Sequence, residues 1–136
     1  MGPLMFVDTS AIVAILAKEA DADFFALKLA AAGQCYTSGL VILEAAMRLA
    51  SLLQIDPREV EIDIQRLLTE ANISVVAIDA GIARQAVAAF ALYGKGRGHP
   101  AQLNLADCMS YACAKAYRAP LLFKGNDFSQ TDIAAA

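Results

Sequence analysis

Four carboxylates are the residues through which this sequence could do chemistry. Asp8 closes the short apolar run Leu4-Met5-Phe6-Val7, and Asp127 follows another, Pro120-Leu121-Leu122-Phe123, after the turn residues Gly125-Asn126. Functional groups of open parallel sheets gather at the carboxyl ends of strands, where both acids fall. Each also has a plain structural use, Asp8 as a helix cap and Asp127 as a turn former. Glu44 sits in Gly39-Leu40-Val41-Ile42-Leu43-Glu44-Ala45-Ala46-Met47, apolar nearly all round a helix and so expected to be largely buried. A buried carboxylate needs a partner or a metal. Arg48, one turn on, offers an ordinary helix pair worth about 0.2–0.5 kcal/mol. Asp107 stands among apolar neighbours in Leu103–Ser110, with no lysine or arginine within four residues on either side.

Acids scattered along a chain, with no histidine or cysteine cluster, suit a hard oxygen-seeking cation such as Mg²⁺ or Mn²⁺. Such ions activate water, orient a phosphate and neutralise charge during phosphodiester cleavage. The one histidine, His99, lies in a glycine-rich loop, and the cysteines are three: Cys35, Cys108 and Cys113. That is too little for a zinc site and a poor start for a nucleophilic triad. Sparse, odd cysteines suit a reducing cytosol.

Charge is segregated. Net charge is −3, yet residues 1–83 hold 5 basic and 11 acidic groups, while residues 84–124 hold six basic groups and a single acid, Asp107. A basic segment around one lone carboxylate fits an anionic substrate held near a metal, and equally a solvated helix face with a loop.

The elements that must position these groups follow from pattern and punctuation. Strands are expected at Leu4–Val7, Gln34–Thr37, Ile73–Ile78 and Pro120–Phe123. Helices are expected at Ala11–Lys18, Ala20–Ala32, Ser38–Leu53, Arg58–Ala71, from Asp79 to about Leu92, and at Leu103–Tyr117. Between the last two helices, Tyr93-Gly94-Lys95-Gly96-Arg97-Gly98-His99-Pro100 cannot propagate either structure. Strands alternating with helices imply an α/β fold, a parallel sheet covered on both faces. At 136 residues and 14.4 kDa the chain makes one domain, residues 1–136. With 58% hydrophobic residues and a mean hydropathy of +0.49, it is too apolar to be disordered. The longest uncharged stretch, Leu29–Leu43, is 15 residues with polar interruptions, short of the roughly 20 a membrane span needs. The opening MGPLMFVD has no basic segment of a secretory signal, so the expected compartment is the cytoplasm.

Set in order, these segments resemble PIN-domain ribonucleases, most closely the VapC toxins of bacterial type II toxin–antitoxin modules. Phe6-Val7-Asp8-Thr9-Ser10-Ala11 looks like the first acidic motif of that family, and Ser38 through Arg48, with Glu44, like the second. Tyr93 through Cys108 is similar to a longer signature around the third acid. Leu121-Leu122-Phe123-Lys124-Gly125-Asn126-Asp127-Phe128 with Thr131-Asp132-Ile133 looks like the closing motif. Two positions depart from the pattern: Ala106 stands where glycine is frequent, and Asn126 where an acid is common, leaving Asp127 as the remaining carboxylate.

The resemblance implies a single PIN-like domain with a parallel central sheet of four to five strands and helices on both faces. It implies a metal-dependent endoribonuclease, hydrolysing RNA phosphodiester bonds with metal-activated water. Asp8, Glu44, Asp107 and Asp127 would be its catalytic residues. Asp8 and Asp107 would bind Mg²⁺ or Mn²⁺ directly, and Glu44 and Asp127 directly or through water. Lys95 and Arg97 would touch RNA phosphates. The implied partners are a cognate VapB-like antitoxin and a second copy in a homodimer, with no membrane. Two other readings stand beside it. A PIN fold without catalysis would be an interaction module, which the loss of an acid at Asn126 leaves open. A receiver-like signalling domain would need a phosphoacceptor Asp ending a central strand. No strand ends in Asp near the middle of the chain and paired acids after the first strand are absent, although Lys124 could play that domain's late lysine.

Overall fold

The computed structural model describes residues 2–136. Its core is four short strands, β1 (Leu4–Val7), β2 (Gln34–Ser38), β3 (Ile73–Val76) and β4 (Leu121–Leu122), all parallel in the order β3-β2-β1-β4. Six helices connect them: α1 (Thr9–Leu16), α2 (Ala22–Ala31), α3 (Gly39–Leu53), α4 (Pro57–Glu70), α5 (Ala80–Tyr93) and α6 (Leu105–Ala116). The chain steps outward from β1 to β2 to β3, then crosses back to β4 on the far side of β1. Right-handed crossovers therefore put α1–α4 on one face and α5–α6 on the other. The packing agrees: α1 lies on α2 and α3, α3 on α4, and α6 on β1, β2 and β4 with α5 outside it.

β1 is central and reads as a core strand, with Met5, Phe6 and Val7 all at 1% exposure or less. Leu49, Ile64, Leu103, Leu121 and Leu122 close the core on either side. Helix starts follow their caps. Asp8, Ser38, Asp56, Asp79 and Asn104 each accept a backbone N–H from the first turn that follows. Pro57 opens α4, where its missing N–H costs nothing.

Three expectations are corrected. The third strand stops at Val76 rather than Ile78, because its only neighbour, β2, ends opposite it at Ser38. The fourth is two residues long. Its edge is instead extended by the C-terminal segment, where Leu121 N donates to Ala134 O and Ala136 N to Leu121 O. The region around Glu44 is not largely buried: α3 turns Ala45 and Leu49 inward but leaves Leu43 56% and Met47 62% exposed. The helix carries more apolar surface than this small core can cover. Among the described residues, no helix is long and apolar enough to cross a membrane.

Candidate active site

The crossover from β3 back to β4 creates a topological switch beside β1, and a cavity of about 220 Å³ opens at the carboxyl ends of β1 and β4. It is lined by Asp8, Ser10, Glu44, Arg48, Asn104, Asp107, Lys124, Gly125, Asp127 and Phe128. Four carboxylates far apart in sequence thus face one space, delivered by the end of β1, the middle of α3, the start of α6 and the loop after β4. Asn126 is not among the lining residues, whereas Asp127 is.

Two of the acids are held by the helices they start. Asp8 is 5% exposed, and its Oδ2 accepts both Ser10 N (3.1 Å) and Ser10 Oγ (2.7 Å). Ser10 Oγ in turn accepts Lys124 N at 2.9 Å, so one hydroxyl joins the exit of β1 to the exit of β4. Asp107 Oδ2 accepts Asn104 N at 3.1 Å, while Asp107 N donates to Asn104 Oδ1 at 2.8 Å, a reciprocal capping box. In each case capping engages one carboxylate oxygen and fixes the rotamer, and the other oxygen accepts no hydrogen bond among the described residues. Capping and a site role are therefore compatible, not alternatives.

Electrostatics single out Asp107. Burial pushes the Asp107 carboxyl up to about 6, and the charges of Asp8, Asp127 and Glu44 push the same way. The backbone N–H of Asn104 opposes this by stabilising the charged form. Relief could come from protons or from a cation. The anionic groups lining the cavity are all carboxylates, with the Asn104 amide and the Ser10 hydroxyl beside them, an oxygen-rich set that suits a hard divalent ion. Among the described residues, no three His, Cys, Asp or Glu side chains form a ready-made metal cage. The carboxylates instead stand apart around an open cavity. That is the arrangement a Mg²⁺-type ion tolerates, because it keeps several of its own waters.

Two lysine and arginine expectations separate here. Lys95 and Arg97 do not line the cavity; the Arg97 guanidinium lies 5.9 Å from the centre of the Phe90 ring. Arg48 and Lys124 do line it. Arg48 forms no ion pair with Glu44 among the described residues, and Lys124 reaches outward to Glu19 and Asp21, both at 3.1 Å. Sequence reasoning had not singled out Asn104. The signal was present, since Asn104-x-x-Asp107 ahead of an apolar run is a capping-box spacing. Gly125 reads in the sequence only as a turn; its φ of +112° is one that L side chains rarely adopt, and it lines the cavity together with Asp127.

Comparison with known proteins gives the chain's relatives. A family model described as PIN domain matches residues 5–134. The chain is 46% identical over 132 residues to Ribonuclease VapC28 of Mycobacterium tuberculosis, covering 97% of both chains. It is 43% identical to Ribonuclease VapC42 of the same organism over 134 residues, 97% of this chain and 98% of that one. Among solved structures it superposes on Mycobacterium tuberculosis VapC20, a sarcin-ricin loop cleaving toxin, with a TM-score of 0.76 at 20% identity, covering 97% of this chain and 98% of that one. A toxin–antitoxin complex from Klebsiella pneumoniae matches with a TM-score of 0.71, also at 20% identity, over 97% and 96% of the two chains.

Proposed function

The chain belongs to the PIN-domain family and groups with the VapC ribonucleases, and from that premise we propose that it is a divalent-metal-dependent endoribonuclease, the toxin of a type II toxin–antitoxin module. The observation that carries the reading is the convergence of Asp8, Glu44, Asp107 and Asp127 on one cavity. Asp8 and Asp107 would hold Mg²⁺ or Mn²⁺ through the oxygens their caps leave unused. Glu44 and Asp127 would complete the acidic ring directly or through water. When bound, the cation supplies charge neutralisation at the scissile phosphate and a more acidic water. The chain's own contribution is preorganisation. The Ser10 hydroxyl and the Asn104 backbone N–H would hold two carboxylates in place before substrate arrives, so no reorientation is needed during the reaction.

The partners proposed are RNA as substrate, a VapB-like antitoxin and a second copy of the chain, in the cytoplasm. Apolar surface is available for two proteins. One stretch follows α3 and the start of α6, with Leu43, Met47 and Leu105; the other follows α5, with Val87, Phe90 and Leu92. Lys95 and Arg97 remain proposed RNA contacts outside the cavity.

The test is cleavage of total cellular RNA by the purified chain and by Asp8→Ala, with Mg²⁺, with Mn²⁺ and with EDTA. Metal-dependent cleavage that drops at least a hundredfold in the variant is the expected result. A folded, antitoxin-free chain that cleaves no better than Asp8→Ala in any metal would sink the reading and leave the interaction module.

A further inference from the structure

The acidic cavity poses a problem for a polyanionic substrate. Four carboxylates face it, and a divalent cation offsets only two of their charges. Two cationic side chains share the lining. Lys124 is committed elsewhere, its ammonium held at 3.1 Å by both Glu19 and Asp21. Arg48 is not: it is exposed, and among the described residues it makes no ion pair and donates no side-chain hydrogen bond, although Glu44 lies one turn before it on α3. A guanidinium lining an acidic cavity yet paired to none of its acids is available to an incoming anion.

Its position adds direction. Arg48 also borders the adjoining hollow of about 550 Å³, lined by Val13, Glu19, Met47, Arg48, Ser51 and Leu52. It therefore stands on the rim between the carboxylates and the groove running between α1 and α3. A strand whose scissile phosphate lies at the carboxylates and which continues on this side must cross that rim. A planar guanidinium suits bidentate contact with a phosphate diester, and its charge cannot be lost by deprotonation.

We propose that Arg48 contacts a backbone phosphate of the RNA strand neighbouring the scissile one, and so holds the substrate across the rim of the acidic cavity. This rests on the ribonuclease reading above. It assigns to Arg48 a substrate contact in place of the helix pairing with Glu44 that its spacing allows.

The experiment measures initial rates of total-RNA cleavage against RNA concentration, between about 50 and 200 mM KCl, for the wild type, Arg48→Ala, Arg48→Gln, Arg48→Lys and Arg66→Ala. Arg66 pairs with Asp63 on α4 and lines no part of the cavity, so it controls for loss of a surface charge. Expected for Arg48→Ala and Arg48→Gln is a KM raised about tenfold, with kcat within about threefold of wild type. The salt dependence of log KM should also be shallower by about 0.7, the slope of one lost phosphate contact on a single strand. Arg48→Lys should restore the salt slope and part of the KM, and Arg66→Ala should match wild type. An active wild type with Arg48→Ala indistinguishable from it overturns this inference alone. So does a variant that loses kcat while KM and salt slope stay fixed, since that would place Arg48 in holding Glu44. A wild type inactive in every metal removes the ribonuclease reading and this inference together.

Discussion

Asp107 shows how one side chain serves fold and site together. Its Oδ2 closes the capping box that starts α6, while burial and three neighbouring carboxylates raise its carboxyl to about 6. A carboxyl whose folded value lies above its ordinary value of 3.8 binds protons more readily when folded, so its stabilising effect is complete below about pH 4 and is lost as pH rises through 6. The metal-free protein should lose about 1–2 kcal/mol from this group between pH 4 and pH 7, allowing for its partial exposure. On the proposed reading Mg²⁺ would compete with that proton, so thermal melts should show a large Mg²⁺ stabilisation at pH 7.5 and a much smaller one at pH 5. An equal metal effect at both values would mean that Asp107 is not a ligand. The sequence could flag this residue because no cation stands within four positions of it. It could not reveal the crowding, which comes from residues 8, 44 and 127 meeting in space.

Elements were legible where their ends carry local chemistry. Asp8, Pro57 and Asp79 mark starts that lie within two residues of their expected places, since caps act through neighbours in sequence. Strand ends were less so, because β3 stops where its partner stops, and the C-terminal segment's pairing with Leu121 has no local signature. Glu44 was misjudged for a related reason. An all-apolar helix reads as buried, but how much of it is covered depends on the size of the core it meets. The most consequential link between elements is equally non-local, the Lys124 N to Ser10 Oγ hydrogen bond that joins the β1 and β4 exits. Ser10→Ala removes that acceptor and the hydroxyl's bond to Asp8. It should cost about 1–2 kcal/mol in urea unfolding and lower kcat at least tenfold, with the larger share in kcat. Ser10→Thr should recover much of both. Full activity in Ser10→Ala would show that Asp8 needs no such brace.

At the scale of the whole molecule, α5 stands apart. It packs on α6 outside the sheet and leaves Val87 68%, Leu92 58% and Phe90 45% exposed, with Arg84 the one charged residue in the helix. Apolar surface of this kind is a liability for a lone monomer and an asset for a symmetric pair. If α5 is the homodimer contact, Val87→Glu should weaken self-association about thirtyfold or more in sedimentation equilibrium while the melting temperature at low concentration stays near wild type. A wild type that sediments as a monomer at micromolar concentration would rule the pair out.

The site draws on both ends of the sequence: β1 pairs with β4, Ser10 bonds both Asp8 and the backbone N–H of Lys124, and Asp127 comes last. Contacts separated by more than a hundred residues form late and slowly. During synthesis, a ribosome-bound chain that has not yet emitted β4 lacks one of the two neighbours of β1, the brace on its first acid and its fourth carboxylate. Such an unfinished chain should be chemically silent. On the proposed reading, a site assembled this way would leave the chain without nuclease activity until its last strand has left the ribosome.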